Sequence, residues 1–449
     1  MPTPVRILHT SDWHLGHQLH DCDRAAEHEA FLTWLLDTAE QHNVDALLIT
    51  GDIFDHSQPP ASAQQMWYQF LVRAHARLPR AQVIAIAGNH DSPLRLSVAH
   101  AFERALGRLH VMGSLADAQR MHAGLPAGLI PLDSADGSQR AWVLAVPFLR
   151  GAEVGIDDVQ TQVRQIYADV LQQATPFVGP HDALLLTGHA YVVGGQLSEL
   201  SERMLSRGHQ GAWPVQVFAD IAQPNPLQVQ GVALGHLHRP QELIAQRVWY
   251  AGSPLPLSLD EESYAHRALL VELNGKAAPV LHNLPIPRLV PLLRLPNARD
   301  FAPLPEILAL LRALPLKTEA DPSPIPLCEV RILLDGPQPD LAVQLQAACE
   351  GRRVKIVKIS KAQTAQSAGN RLQRELHAWQ PLTLARGFFA GMPEDGTDPP
   401  PLTDELEGAL TQLVTWAQME PAEVDAERSA RVLQLAEGTR LAIGKGVSP

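Results

Sequence analysis

The chain has 449 residues, 36 of them basic and 48 acidic for a net charge of −12, and 45% of them are hydrophobic. At roughly 150 residues per domain this length sets a prior of about three domains, and the composition excludes a disordered or membrane-embedded chain, since no apolar run approaches the ~18 residues that span a bilayer. Net acidity ordinarily argues against a nucleic-acid partner, but 392–427 holds ten acidic residues and no basic one, and without it the balance is 36 basic against 38 acidic.

The N-terminal decade shows no apolar signal-peptide core and runs straight into a strand-like segment. Cys22, Cys328 and Cys349 stand far apart with no CxxC, which fits a reducing cytoplasm. Short apolar runs at 5–8, 46–49, 83–87, 142–146, 183–186 and 230–234 predict buried strands. Between the first and third lie two amphipathic helices. One carries Phe31, Trp34, Leu35 and Ala39 on a face, the other Met66, Trp67, Phe70, Leu71 and Ala74. Such alternation implies α/β layering. Runs at 248–250, 268–273 and 279–284 follow without helices and predict a closing antiparallel meander.

Pro285, Pro287, Pro291 and Pro296 then mark the entry to a second unit. It reads strand 289–295, helix 302–314, strand 328–334, helix 341–349 and strand 354–359, a small α/β domain. Seven basic residues and no acidic one occupy 352–374; such a run is either a solvated face or a contact for DNA phosphates. Beyond the acid block's Pro399 to Pro401, Thr403 suits a helix N-cap, and Leu406, Leu410, Leu413, Val414 and Ala417 share a face that either folds back or docks on a partner. The expected division is 1–285, 286–375 and 376–449.

Five predicted strands run into Asp, His or Asn. They lead to Asp12-Trp13-His14, Gly51-Asp52-Ile53-Phe54-Asp55, Gly88-Asn89-His90-Asp91, Gly188-His189 and Gly235-His236-Leu237-His238. In an α/β sheet, ligands collect beyond the carboxyl ends of strands, so these loops are expected to converge. Asp12/His14 and His236/His238 are i, i+2 pairs that an extended backbone aims to one side. Carboxylates, one amide oxygen and four imidazoles without a thiolate suit a pair of divalent ions such as Mn²⁺, Mg²⁺ or Fe²⁺. Asp52 is the expected bridge. Two ions ~3.5–4 Å apart would activate a hydroxide and neutralise a phosphoryl group. His90 is expected to face the substrate and stabilise or protonate the leaving oxygen. Asp55 either orients His90 and raises its pKa, or caps a helix.

These motifs, in this order, resemble those of the calcineurin-like metallophosphoesterases. The stretches Ile7-Leu8-His9-Thr10-Ser11-Asp12-Trp13-His14-Leu15-Gly16, Pro147-Phe148-Leu149-Arg150 and Ala251-Gly252-Ser253-Pro254 are similar to the SbcD family of bacterial nuclease subunits, counterparts of the eukaryotic double-strand-break repair nuclease. The resemblance implies a two-layer sheet sandwich with outer helices, an α/β capping domain that helps hold DNA, and a C-terminal helical segment. It implies that Asp12, His14, Asp52 and His238 hold one Mn²⁺ and Asp52, Asn89, His189 and His236 the other, with His90 as the catalytic histidine.

It implies, further, a cytoplasmic DNA nuclease, working as a homodimer within a heterotetramer with an SbcC-type coiled-coil ATPase, with no membrane partner. The implied activity is ATP-dependent 3′-to-5′ exonuclease action on duplex ends and endonuclease cleavage of hairpins and single strands. The competing activity is a metallophosphatase or phosphodiesterase acting on nucleotides or phosphoproteins. Phosphoprotein phosphatases continue GDxxD with Arg-Gly, whereas Asp55 is followed here by His56 and Ser57. The segment between His189 and His236 matches no motif.

Overall fold

The computed structural model describes residues 2–363 except 102, 104–106, 155–158, 194, 197–212, 215–217, 219–226, 298–300 and 319–320. The helix expected over 402–418, the acid block and most of the segment between His189 and His236 lie outside the described residues. The chain divides into two compact units, Met1–Ile332 with Pro339–Lys361, and Leu333–Gln338 with Ala362–Pro449.

Through residue 285 the principal elements are β1 (Val5–Thr10), α1 (Ala25–Gln41), β2 (Ala46–Thr50), α2 (Ala61–Arg77), β3 (Gln82–Ile86), β4 (Leu109–Met112), β5 (Leu129–Asp133), β6 (Arg140–Leu144), α3 (Val159–Ala174), β7 (Ala183–His189), β8 (Gly231–Gly235), β9 (Gln241–Ile244), β10 (Val248–Tyr250), β11 (Arg267–Leu273) and β12 (Val280–Pro285). They build two six-stranded sheets, ordered β12-β11-β1-β2-β3-β4 and β9-β10-β8-β7-β6-β5.

Side-chain alternation along the strands explains the layering. Val5, Ile7, Ala46, Leu48, Ile84 and Ile86 of the first sheet face Ile130, Val143, Leu185, Ala233 and Trp249 of the second. Their neighbours point outward: Leu8, Leu47, Ile49 and Val83 meet α1 and α2 through Leu35, Trp67 and Phe70, while Leu184, Leu186 and Val232 meet α3 through Val163, Tyr167 and Val170. Both faces of the central strands are thus covered, which is why they read as unbroken apolar runs. The result is the two-layer sandwich with outer helices.

One expected grouping is corrected. The run at 248–250 does not join a meander with the two that follow: β10 pairs parallel with β8 in the second sheet, whereas β11 and β12 pair antiparallel in the first. Trp249 and Tyr250 are both buried and point to opposite sides, Trp249 between the sheets and Tyr250 among the residues under α3, so β10 needs cover on both faces.

After Pro285 come β13 (Leu292–Leu295), β14 (Ala302–Pro303), α4 (Leu304–Ala313), β15 (Leu327–Leu334), α5 (Leu341–Cys349) and β16 (Lys355–Gln363): the expected order with one strand added, β14, which takes the two residues where the helix was expected to start. β15 pairs with β13, β14 and β16 in a four-stranded sheet. Alternation along β15 buries Cys328, Val330 and Ile332 on one side, while Leu327 on the other joins Leu292, Leu259, Leu19 and Cys22. No helix among the described residues is long and apolar enough to cross a membrane.

Trp13 locks the first metal-side loop to the helical layer. Its ring lies edge-on to Phe31 (5.5 Å), Trp67 (5.8 Å) and Phe70 (5.1 Å), and its Nε1–H donates to Thr10 Oγ1 (3.1 Å). Trp13→Ala leaves a cavity and an unpaired hydroxyl, so the expected loss is about 3–5 kcal/mol, read as a lower midpoint in guanidinium unfolding at unchanged slope.

Candidate metal centre

Five strand ends carry the polar motifs to one place, but they belong to two sheets: β1, β2 and β3 deliver Asp12, His14, Asp52, Asp55, Asn89 and His90, while β7 and β8 deliver His189, His236 and His238. The convergence is therefore a seam between layers rather than the crevice of one open sheet. Buried polar groups close that seam. His189 Nδ1–H donates to the Thr50 carbonyl (2.8 Å), Trp249 Nε1–H donates to His9 Nδ1 (3.2 Å), and His9 Nε2–H donates to Thr50 Oγ1 (2.8 Å).

Local backbone geometry is unusual at four of the predicted ligands. Asp12 (φ 55°), His14 (φ 47°), Asp52 (φ 49°) and His236 (φ 106°) all sit at positive φ, which costs non-glycine residues on the order of 1–3 kcal/mol each. The cost is met by pairing: Asp12 N–H donates to the Gly51 carbonyl (2.9 Å) and His14 N–H to that of Asp52 (3.0 Å). Two glycines are required by space. A Cβ on Gly88 would stand 2.1 Å from Asp52 Oδ1, and one on Gly235 would stand 1.9 Å from the Thr50 oxygen.

Two buried clusters result, Asp12/His14/His238 and Asp52/His189/His236, each with ligand atoms within 4.8 Å of one another. Asp52 lies between them: its Oδ2 is 3.3 Å from His189 Nε2 and 3.7 Å from His14 Nε2, and its Oδ1 accepts the His90 N–H (2.8 Å). Asn89 Oδ1 is 3.0 Å from His189 Nε2 and 2.9 Å from His236 Nδ1. The Asp12 carboxylate accepts Ser11 Oγ–H (2.6 Å) and the His236 N–H (2.9 Å). Every predicted ligand is thus in one constellation.

Outer partners aim the rings. Asp55 Oδ1 stands behind His14 Nδ1 (3.1 Å), the Thr50 carbonyl behind His189 Nδ1, and Glu261 Oε1 behind His238 Nδ1 (2.9 Å), so each presents Nε2 inward, as metal-binding histidines do. His14 Nε2 is buried without a hydrogen-bond partner, an orphan that a cation would satisfy. The donor set and this orphan fit divalent metal ions.

Electrostatics agree with that fit. Burial pushes the pKa of His14 down, and burial together with the charge on His189 takes His236 down to about 3, leaving both as neutral donors. Burial works against charged His189 as well, yet the Asp52 carboxylate raises it to about 9. Burial also opposes ionisation of Asp52, but His189 and the other imidazoles hold its carboxyl well below the usual range.

The expected role of the Asp55 carboxylate is corrected. Its Oδ1 is 3.1 Å from both His14 Nδ1 and His17 Nδ1, and its Oδ2 is 3.0 Å from the exposed His56. His90 Nδ1–H donates instead to the Asp55 main-chain carbonyl (2.7 Å), and the His90 ring packs edge-on against His14 (4.9 Å). A carbonyl only accepts, so the proton is fixed on Nδ1 and His90 Nε2 is the exchangeable nitrogen. The carboxylate is drawn to the two imidazoles nearest it, which hold its pKa far below the usual range against the opposing effect of burial.

Sequence reasoning passed over two supporting residues. Asp91 accepts the amides of Ile53 (3.1 Å), Phe54 (3.0 Å) and Gly88 (2.8 Å), tying two of the loops together. It was visible inside Gly88-Asn89-His90-Asp91. Glu261 lies in an acidic run, Asp260 to Glu262, that carries no signal of contact with a histidine 23 residues away.

Residues 5–240 match the family described as calcineurin-like phosphoesterase, and 288–392 match that described as the type 5 capsule protein repressor C-terminal domain. The SbcD component of nuclease SbcCD from Rhodobacter capsulatus is 40% identical over 380 residues, which cover 81% of this chain and 89% of that protein. The protein of the same name from Escherichia coli K12 is 33% identical over 302 residues, covering 63% and 68%, and that from Bacillus subtilis 35% identical over 276 residues, covering 60% and 66%.

With His189 at about 9, the metal-free centre holds a proton near neutral pH that a cation must displace. Calorimetric titration with Mn²⁺ at pH 7.5 in buffers of different ionisation enthalpy is expected to report release of about one proton, with affinity rising toward pH 9. No release would remove His189 from the ligand set.

Proposed function

We propose, from the premise that this chain belongs to the calcineurin-like phosphoesterases and, within them, to the SbcD nuclease subunits, that it is a two-metal DNA nuclease whose ions are Mn²⁺. The chain is a phosphodiester hydrolase of DNA metabolism. The observation that carries the two-metal reading is the pair of buried clusters flanking Asp52. In it, Asp12, His14, Asp52 and His238 hold one ion and Asp52, Asn89, His189 and His236 the other.

Two such ions supply Lewis-acid charge and a nucleophilic water at neutral pH. The residues do the rest. Asp12, Asp52 and Asn89 orient oxygen donors toward the seam, and the neutral imidazoles of His14 and His236 leave positive charge for the phosphate to meet. His90, aligned by the Asp55 carbonyl, turns Nε2 to the leaving oxygen and stabilises or protonates it. Asp55 acts through His14 as a positioning residue.

We further read 1–285 as the nuclease domain, 286–375 as an α/β cap against DNA, and 376–449 as the segment that docks on an SbcC-type coiled-coil ATPase in the cytoplasm. ATP-dependent 3′-to-5′ exonuclease and hairpin or single-strand endonuclease activity is the expected output. Homodimerisation within a heterotetramer is supported by Leu94 (82% exposed) and Val98 (54% exposed), apolar, one helical turn apart and directly beyond the His90 loop.

Purified chain with Mn²⁺ is expected to cleave a DNA hairpin and an aryl phosphodiester; phosphate release from monoesters alone would instead indicate a phosphatase. His90→Asn is expected to lower kcat by about 10²–10⁴-fold while Mn²⁺ stoichiometry stays at two, and loss of an ion in that variant would make His90 a ligand. Deleting 392–449 is expected to spare this basal cleavage and abolish pull-down of the ATPase subunit; retained pull-down would refute the docking role.

A further inference from the structure

Glu261 is buried, distant in sequence from every proposed ligand, and uses both carboxylate oxygens. Oε1 accepts the His238 Nδ1–H (2.9 Å) and Oε2 accepts the Leu257 N–H (2.8 Å). It lies in a single 3₁₀ segment, Leu259–Ser263, so its position follows that of the segment.

Two parts of the fold grip this segment and the loop before it. From the nuclease core, the buried Arg24 guanidinium donates to the Pro256 carbonyl, and His266 Nδ1–H donates to that of Ser253 (2.8 Å). From the C-terminal side, Arg288, in the link to the four-stranded sheet, donates to the Glu262 carbonyl (2.8 Å). Leu259 is buried among Leu292 of β13, Leu327 of β15, and Leu19 and Cys22 of the tight hairpin beyond His17. Two leucines of the C-terminal sheet, Leu292 and Leu327, therefore rest on the turn that aims His238. Among the described residues only one cluster is held in this way, since His189 is backed by the Thr50 carbonyl and His236 turns Nδ1 toward Asn89.

We propose that Glu261 is a positioning residue for His238 and that, through Leu259, it makes the Asp12/His14/His238 metal position depend on how the C-terminal sheet is seated. The inference rests on the two-metal reading. An outer carboxylate on a metal-bound histidine is worth about 10–100-fold in metal affinity, and a ring rotated by a small shift of its hydrogen-bond partner loses part of that. A ligand pressing on the C-terminal sheet, such as duplex DNA, would act on one ion and leave the other alone.

The test is Mn²⁺ titration of the full chain by electron paramagnetic resonance, with melting temperature as the folding control. Wild type is expected to bind two ions and show an exchange-coupled spectrum. Glu261→Gln is expected to keep one tight ion and weaken the other about 10-fold or more, giving a mononuclear six-line spectrum at one equivalent. Leu292→Ala, which touches no ligand, is expected to weaken the same ion a few-fold. Equal weakening of both ions in Glu261→Gln would overturn the proposal, as would a folded Leu292→Ala protein with unchanged binding. If Glu261→Gln fails to fold, Leu292→Ala decides alone. Wild type binding fewer than two ions would overturn the two-metal reading and this inference together, whereas two ions with no selective loss would overturn only the coupling.

Discussion

A carboxylate sealed at the meeting of two sheets sets the terms for everything around it. Asp52 is ionised, almost wholly buried and flanked by imidazoles. A buried charge without compensation costs several kcal/mol, which the fold has to offset. The surrounding loops show how the compensation is assembled: backbone amides donate to acids, His189 carries the countercharge, and residues with side chains adopt backbone angles normally left to glycine. Those angles persist because adjoining loops zip together through Asp12 and His14 amides and through the three amides that Asp91 gathers. Rigidity and electrostatics are here one arrangement.

Much of this was legible in the sequence, for identifiable reasons. Central strands covered on both faces must be apolar throughout, so β1, β2, β3, β7 and β8 announced themselves, and with them the loops that follow. Peripheral elements were quieter. β5 and β9 are edge strands with polar residues interspersed, and α3 shows itself only through Val163, Tyr167, Val170, Leu171 and Ala174 at helical spacing among many polar residues. The three residues of β10 say that a strand is buried but not which sheet buries it.

Within the centre, identity was easier to read than role. Asp, His and Asn after strands declare ligand chemistry, and spacing alone aimed Asp12 with His14 and His236 with His238. Which oxygen of Asp55 serves which ring is a matter of ångströms in a folded loop: the carboxylate goes to His14 and His17, and the carbonyl goes to His90. Glu261 shows the same limit at longer range, since its contact with His238 exists only because the chain leaves β10, turns at Gly252 and returns beneath the C-terminal sheet.

The seam has a kinetic side. Asp12 and His236 meet across 224 positions of chain, and His9 and Trp249 across 240. Contacts of such separation pay their loop-closure entropy before they return anything, so they form late. An ion that joined Asp12 and His14 to His238 would add a removable staple to these contacts, closing one more long loop between the beginning and the far end of the sandwich. Under metal starvation such a protein would lose more than chemistry: one long-range link would go with the ion, and the hydrogen bonds across the seam would hold the two ends alone.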